Sequence, residues 1–499
     1  MENAKNNSVF SNLIWKLAER YGAQIVQFVV SIVLARILVP EVYGTVALVT
    51  VIITILQVFI DSGFGSALIQ KKDADDLDFS TVFFFNIFFC LLLYFLVFLF
   101  APLIAKFYEN PDLTSVIRVL SITIIFSSFS NVQYAYISKN MQFKKFFLST
   151  TIGIVASAVV GIVLAKNNFG IWAIVWQNLT NVGLNTIVLW LTVKWKPKMQ
   201  FSFKRLKSLF SFGWKLLASA LLDTVYNNSR QLVIGKKYSN EDLAFYNKGN
   251  QFPNLIVTNI NNSIDSVIFP VMAKEQDNIE RIKFMTKKAI KTSTYIMAPM
   301  MIGLAVLAES VIRLVLTDKW LECAFFMQIF CIDYMFYPIH TANLNALKAM
   351  GRSDLFLKLE VIKKVVGISV LLVAMWFGVK AIALSLLISV FASTIINSWP
   401  NWKLLGYSYL EQMKDVFSNV ILAVIMGVIV WLVGLININY IVLMFIQMAV
   451  GALTYLILSI LLKNETFFFL FNTIKDFLKK KFSKKTHEQI ENNGESNNV

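Results

Sequence analysis

Apolar runs long enough to cross a bilayer recur from one end of this chain to the other, and that excludes most folds at once. A helix rises ~1.5 Å per residue, so about 20 apolar residues cross ~30 Å of hydrocarbon. Fourteen such segments fall at roughly 10–34, 43–68, 79–105, 114–138, 146–165, 170–193, 208–234, 243–270, 288–316, 321–347, 356–376, 379–402, 415–436 and 438–462. The runs are continuous rather than alternating, which rules out a transmembrane β-barrel. The backbone must bond internally in lipid, so the expectation is an all-α polytopic membrane protein. Composition agrees: of 499 residues 57% are hydrophobic and only 15% charged, where a soluble chain would carry about a quarter. The first segment lacks a small-residue cleavage site and is too long for a signal h-region, so it reads as a true helix.

The short connections leave no room for a soluble catalytic domain, and no enzyme is expected. Cys90, Cys323 and Cys331 lie in or beside apolar runs, with neither a disulfide framework nor metal-ligand spacing. No metal and no cofactor are therefore expected. A Gly-x-x-x-x-Gly-Lys-Ser/Thr motif is absent, so uphill work would draw on an ion gradient or on consumption of product. The net charge of +16 sits mainly between the apolar runs, where it sets topology rather than marking a nucleic-acid partner. Lysine and arginine crowd the even-numbered loops and the termini, which predicts that both termini are cytoplasmic. Lys363 and Lys364 read as part of that topological signal. Asp73, Asp75, Asp76 and Asp78 read as a solvated acidic loop. After the last segment, Phe467–Phe471, Ile474, Phe477, Leu478 and Phe482 alternate with lysines, as in an amphipathic helix on an anionic leaflet. The last residues, through Asn492, Asn493 and Gly494, read as disordered.

The chain also repeats itself. Trp15-Lys16-Leu17 returns as Trp214-Lys215-Leu216, Asp61-Ser62 as Asp265-Ser266, Lys139-Asn140-Met141 as Lys348-Ala349-Met350, and Phe169-Gly170 as Phe377-Gly378. Their common order implies one duplicated six-helix unit. The domains are then 1–200 and 201–405 as two pseudo-symmetric bundles, 406–463 as two additional helices, and 464–499 as the amphipathic tail. An even number of spans per unit puts the symmetry axis along the membrane normal. Pro253, Pro299 and Pro338 fall within later spans and are expected to kink them.

Polar residues form stripes at helical spacing, and the stripes repeat as well. The first span carries Lys16, Arg20, Gln24, Gln27 and Ser31, and the seventh carries Lys215, Ser219, Asp223, Tyr226 and Arg230. The second carries Tyr43, Thr50, Thr54, Gln57 and Asp61; the eighth carries Asn247, Asn254, Thr258, Asn261 and Asp265, with Lys248 and Asn250 nearby. The sixth adds Asn181 and Asn185, and the tenth Asp333 and Tyr337. Such faces are costly in lipid and suit a wet cavity between two bundles, or hydrogen bonds between helices. Amides and hydroxyls bond sugar hydroxyls, and fixed cations hold phosphate. That points to a polyanionic or phosphorylated glycan, with Arg20, Lys215, Arg230 and Lys248 as phosphate ligands. Gln24, Gln27, Gln57, Asn181, Asn185, Asn247, Asn250, Asn254 and Asn261 are the expected polar lining. Asp61, Asp223 and Asp265 are candidates for ion coupling. Arg20 could instead simply pair with Asp61, and Asp223 with Arg230 or Lys215. His340 reads as packed against Tyr337 rather than as a proton relay.

The run Leu34-Ala35-Arg36-Ile37-Leu38-Val39-Pro40-Glu41-Val42-Tyr43-Gly44, followed by Asp61-Ser62-Gly63-Phe64-Gly65, resembles the N-terminal signature of Wzx-type polysaccharide exporters. These are lipid-linked oligosaccharide flippases of the multidrug/oligosaccharidyl-lipid/polysaccharide superfamily. Asp242–Gly249 and Phe269-Pro270 are similar to that family too. The resemblance implies two six-helix lobes, here plus two helices, working by alternating access in the bacterial cytoplasmic (inner) membrane. The implied cargo is an undecaprenyl-diphosphate-linked oligosaccharide for surface polysaccharide such as O-antigen of lipopolysaccharide, capsule or exopolysaccharide. A polysaccharide polymerase would be a partner, with membrane lipids. The rival expectations are an ion-coupled drug exporter of the same superfamily and a membrane polymerase or ligase.

Overall fold

The computed structural model describes residues 2–61 and 64–476. Ser62 and Gly63, the distal part of the expected amphipathic tail, and Asn492, Asn493 and Gly494 lie outside the described residues. In order, the helices are α1 (Glu2–Ile37), α2 (Pro40–Asp61), α3 (Phe64–Gln70), α4 (Asp76–Phe107), α5 (Asp112–Leu120), α6 (Ile122–Lys139), α7 (Phe143–Lys166), α8 (Ile171–Thr192) and α9 (Phe203–Lys237). There follow α10 (Asn240–Lys274), α11 (Ile279–Val306), α12 (Ala308–Val315), α13 (Cys323–Met335), α14 (Tyr337–Ala349), α15 (Ser353–Ala374), α16 (Val379–Leu405), α17 (Tyr409–Val433) and α18 (Tyr440–Leu461). No strand occurs among the described residues.

All fourteen expected segments are helical, but among the described residues nine are long and apolar enough to cross a membrane by length and hydropathy. The five that fall short lie on α8, α9, α10, the α13–α14 pair and α15. Four of the five carry the polar stripes named above. The amides and charges that would line a wet interior are what lower their mean hydropathy.

The duplication is legible in the helix boundaries. α1 ends at Ile37 and α2 starts at Pro40; α9 ends at Lys237 and α10 starts at Asn240. Gly170 (φ 54°) precedes α8, and its counterpart Gly378 (φ 101°) precedes α16. Both hold the left-handed backbone that glycine adopts without a Cβ penalty. The fourth span breaks at Ser121 into α5 and α6, and the tenth at Phe336 into α13 and α14. Pro338 therefore sits at the start of α14, where its missing N–H costs nothing, rather than inside a kinked helix. Pro253 and Pro299 do lie inside continuous helices.

The chain divides into two compact units. The first comprises Met1–Asn247 with the short segments Val315–Trp320 and Met375–Val379; the second comprises Lys248–Leu314, Leu321–Ala374 and Lys380–Val499. In the first, α7 presents Ser149, Gly153, Ser157, Gly161 and Ala165 at every fourth position, all buried. This small-residue stripe lets α8 approach closely: a Cβ on Gly153 would stand 2.8 Å from the Asn181 carbonyl oxygen. Phe79, Phe83, Ile137, Leu189 and Trp195 form an aromatic-rich core beneath α4 and α6. At the ends of α1 and α9, the two short segments are clasped. Trp320 Nε1 donates to the Ala35 carbonyl at 2.8 Å, Arg36 Nε to that of Val315 at 2.7 Å, and Tyr238 Oη to that of Met375 at 2.8 Å.

Of the four aspartates around the start of α4, Asp73, Asp75 and Asp76 are exposed, as expected, and Asp78 is buried. Asp75 caps α4 in a capping box with Asp78. The Asp78 side chain is fully buried and meets Lys71 Nζ at 2.5 Å and Arg205 Nη1 at 3.4 Å. The Asp78 backbone N–H and then the Arg205 charge hold the Asp75 carboxyl below its ordinary range. Two backbone N–H groups of the following connection, Lys198 and Ser202, donate to Ser80 and Thr81. The cluster thus straps the 193–203 connection to α4.

In the second unit α11 packs along α17, with Gly427 against Ile302. A buried amide lattice joins α14, α16 and α17. Asn343 Nδ2 donates to Gln412 Oε1 at 2.8 Å, Gln412 Nε2 to Asn343 Oδ1 at 3.1 Å, and Ser398 Oγ to Gln412 Oε1 at 2.9 Å. Asn401 Nδ2 donates to Asn343 Oδ1 at 2.5 Å. Beyond α18, Asn464 caps a helical segment over 465–476 by accepting from the backbone N–H groups of Thr466 and Phe467. Glu465 pairs with Lys291 at 2.9 Å, and Lys288 Nζ lies over the Phe469 ring.

Candidate functional site

The first unit holds a cavity of about 480 Å³ between α1, α6, α7 and α8. α1 contributes Lys16, Glu19 and Gln27, α6 Tyr134 and Ser138, α7 Phe143, Phe146, Thr150 and Ile154, and α8 Asn181 and Asn185. The α7 stripe sets the geometry, because close approach at Gly153 brings Asn181 and Asn185 to the wall. Tyr134 Oη donates to Asn185 Oδ1 at 2.7 Å, and its ring stacks on Phe146 at 5.1 Å. Thr150 Oγ1 donates to Glu19 Oε1 at 3.4 Å, and Lys16 Nζ lies 5.2 Å from the Phe143 ring centroid. One cation, one anion, amides, hydroxyls and aromatic faces therefore share one concavity. Aromatic faces and amide pairs suit pyranose rings, whose surfaces are apolar on the flat side and polar at the edge.

The expected lining residues Gln27, Asn181 and Asn185 do converge here. Asp61 and Gln57 meet elsewhere in the same unit. Asp61 Oδ1 accepts from Asn131 Nδ2 at 2.9 Å and Gln57 Nε2 at 3.2 Å, and Asn86 Nδ2 reaches Asn131 Oδ1 at 3.5 Å. Asp61 is thus held by amides, and the Arg20–Asp61 pair does not form; Arg20 is exposed. Lys215 is exposed on α9, and Arg230 is buried there. Lys248, in the second unit, is buried and donates to Gln251 Oε1 at 3.1 Å. Its neighbour Gly249 lies so close to α13 that a Cβ would stand 2.6 Å from Phe326 Cβ. Asn250 Oδ1 accepts from Tyr334 Oη at 2.7 Å. Asn254 and Asp265 are exposed on α10, and Asn247 and Asn261 are half-buried.

Glu19, Tyr134 and Thr150 were missed from sequence. Glu19 lies one position off the α1 stripe, and the polar residues of the fourth and fifth spans, which hold Tyr134 and Thr150, were not read as a stripe. Lys363 is also not merely topological: it donates to Glu360 at 2.6 Å inside α15. His340 does pack edge-on against Tyr337 at 5.9 Å, as expected.

A family model described as polysaccharide biosynthesis protein matches residues 33–325. The chain belongs to that family. It is 30% identical over 305 residues to the teichuronic acid biosynthesis protein TuaB of Bacillus subtilis, a match covering 60% of this chain and 62% of that protein. It is 24% identical over 393 residues to the lipopolysaccharide biosynthesis protein WzxC of Escherichia coli, covering 77% and 79%. The fold is shared with the lipid II flippase MurJ in its inward closed conformation: TM-score 0.76, 15% identity, 90% of this chain and 99% of that one. The match thus spans less than two thirds of the TuaB relative's length. This family member is a multi-pass helical membrane protein.

Proposed function

We propose that this protein is a flippase. It carries undecaprenyl-diphosphate-linked oligosaccharide units across the bacterial cytoplasmic membrane by alternating access, for surface polysaccharide assembly. The observation that carries the reading is the polar cavity of the first unit, where Gln27, Tyr134, Asn181 and Asn185 offer many neutral hydrogen-bonding groups beside Lys16. Burying a sugar hydroxyl without a partner costs several kcal/mol, and such a wall removes that cost without demanding one glycan. The family match and the flippase fold support the same reading.

In this scheme Arg20, Lys215, Arg230 and Lys248 hold the diphosphate while the lipid tail stays in the bilayer. Asp61, Asp223 and Asp265 serve ion coupling. The lobes are 1–200 and 201–405, both termini face the cytoplasm, and a polymerase consumes the product. No bond of the cargo is made or broken, so the protein is not an enzyme.

A deletion strain tests this. Its lipid-linked repeat units should accumulate shielded from a membrane-impermeant oxidant in intact spheroplasts. Units that accumulate exposed would assign the protein to polymerisation or ligation instead. Arg20→Glu and Lys248→Glu should each insert normally and restore less than a tenth of wild-type surface polysaccharide; full restoration would remove those cations from the site.

A further inference from the structure

We propose that a second polar cavity, at the other end of the first unit, is a glycan-binding site that holds the sugar portion of the cargo on the outer side of the membrane. The inference rests on the flippase reading above and adds a product subsite to it.

This cavity measures about 740 Å³, within the ~300–1,000 Å³ usual for small-ligand sites. It lies where odd-numbered connections meet. Glu41, Val42 and Thr45 come from the start of α2, 108–112 from the α4–α5 connection, Ile171 from the start of α8, and 235–240 from the α9–α10 corner. Ile171 lines this cavity, whereas Asn181 and Asn185 on the same helix line the one described above. At ~1.5 Å per residue those positions are separated by about 15–21 Å along α8. One bundle thus carries two polar cavities, one toward each end. The proposed orientation of the termini puts this one outside.

Two glycines let its walls meet. A Cβ on Gly44 would overlap the Asn240 carbonyl, and a Cβ on Gly235 would overlap the Leu48 side chain. The α9–α10 corner therefore seats directly on α2. Side-chain bonds tie the α4–α5 connection to both. Asn110 Nδ2 donates to Thr45 Oγ1 at 3.3 Å, and Lys236 Nζ to Glu109 Oε1 at 2.7 Å. Glu109 holds a left-handed backbone (φ 55°) that residues with a Cβ seldom adopt. Tyr238 is fixed through its hydroxyl, which donates to the Met375 carbonyl and accepts from the Gly378 backbone N–H at 3.0 Å. A rim held this way needs little ordering when a ligand enters.

The groups these bonds leave over suit sugar. Among the described residues the carboxylates of Glu41 and Asp112 have no hydrogen-bond or ion-pair partner, and Lys237 has the Trp376 ring but no ion pair. Two charged acceptors and one charged donor are thus available to hydroxyls, and such bonds are the stronger kind. Tyr108 and Tyr238 add aromatic surface for the flat side of a pyranose, and Asn240 adds an amide. Besides the tyrosines, Val42, Pro111 and Ile171 are the apolar side chains of the lining, which gives no track for a lipid chain. Among the described residues no three acidic, histidine or cysteine groups gather as a metal site, so the carboxylates remain free to accept from hydroxyls.

In this assignment the first cavity meets the glycan before crossing and the second holds it afterwards. A site reached only after crossing biases the cargo toward the outer side by as much as binding there is worth. The bound sugar stays beside the outer leaflet, where the reaction that consumes the lipid-linked unit takes it.

The test uses the full chain carrying Pro111→Cys, at an exposed position of the rim. The native Cys90, Cys323 and Cys331 are buried, so a membrane-impermeant maleimide should label the new thiol, and should do so in intact spheroplasts. The probe is a set of short oligosaccharides cut by partial acid hydrolysis from the producing strain's surface polysaccharide. Labelling should slow by the factor 1 + [L]/Kd, about fivefold at four times Kd. Leu435→Cys, exposed in the α17–α18 connection, should label from the same side at a rate the probe leaves unchanged. Glu41→Gln with Asp112→Asn, both at exposed positions, should keep the probe-free labelling rate, which reports an intact fold, and lose the protection. The proposal is overturned by the absence of slowing up to about 10 mM probe, or by full protection in the double variant. Slowing by trilysine in place of the oligosaccharides, or a thiol reached only from the cytoplasmic side, would overturn it equally. None of these readouts needs translocation. Exposed units in the deletion strain would therefore remove the flippase reading, while the glycan site is decided by the labelling alone.

Discussion

Gln412→Leu tests whether α17, which stands outside the duplicated unit, is part of the folded core or an accessory. Gln412 is fully buried and makes four hydrogen bonds: with Asn343 in both directions, from Ser398, and to the Tyr407 carbonyl. Measured side-chain hydrogen bonds within membranes average about 0.6 kcal/mol, so their summed loss is about 2–3 kcal/mol. The partners are not all stranded, which keeps the figure from rising further. Asn343 Nδ2 also donates to the Ile339 carbonyl at 2.9 Å, and Ser398 Oγ to that of Thr394 at 2.7 Å. Leucine nearly fills the volume, so the cavity contribution is small. For a cooperative unit of two hundred or more residues, about 2 °C per kcal/mol predicts a melting temperature lower by about 5 °C. Tryptophan fluorescence in detergent reads this directly. Ser398→Ala, which removes one of these four bonds, should cost about a quarter as much. A Gln412→Leu protein that melts within 1 °C of wild type would refute the reasoning, and so would a Ser398→Ala protein that melts as low as Gln412→Leu.

Other consequences follow from the same geometry. Tyr134→Phe removes the Oη–Asn185 bond inside the cavity; at about 1 kcal/mol for a neutral bond it should reduce flipping about fivefold in the spheroplast oxidant assay while leaving the melting temperature within 2 °C. Gly153→Leu forces a side chain against the Asn181 carbonyl, 2.8 Å from the added Cβ, and should cost about 1–3 kcal/mol, visible as lower yield of folded protein after detergent extraction. Burial at the even-loop end is slight, yet the hydrogen bond from Lys291 holds the Glu465 carboxyl below its ordinary value. Its contribution to docking the 465–476 helix is therefore present above pH ~4.3 and fades as pH falls through the lowered value. Hydrogen exchange in 465–476 should accelerate on acidification, and Glu465→Gln should abolish that dependence.

The duplicated helical fold was legible because its signals are local: apolar length, paired glycines and polar stripes at helical spacing. Gly170 and Gly378 stand as a repeated pair in the sequence, and both carry the positive φ that explains the glycine. Partner choice was not legible, since it depends on residues distant in sequence. Nothing in the α2 stripe distinguishes Arg20 from Asn131, seventy residues on from Asp61, yet Asn131 supplies the bond. Tyr134 was invisible for a similar reason. A tyrosine such as Tyr134, with Tyr136 two residues on, reads as packing until α8 brings Asn185 to its hydroxyl. The acidic run misled at one position: Asp73, Asp75 and Asp76 are exposed as they look, but Asp78 is buried, with Lys71 and Arg205 converging on it.

The same contrast explains why charge in this chain divides into two kinds. Lys71 pairs with the buried Asp78, whereas an exposed connection lysine such as Lys72 suits the topological rule and could be exchanged for arginine with little effect. Lys363 does not, because Glu360 lies one turn away on the same buried face and closes the pair at 2.6 Å. An i,i+3 pair on an exposed surface contributes little. Inside a half-buried helix, neutralising one member leaves the other charge facing low dielectric, at a cost of several kcal/mol. Lys363→Met alone should therefore impair the protein more than Lys363→Met with Glu360→Gln, and rescue by the second substitution would separate an intramembrane pair from a topological signal.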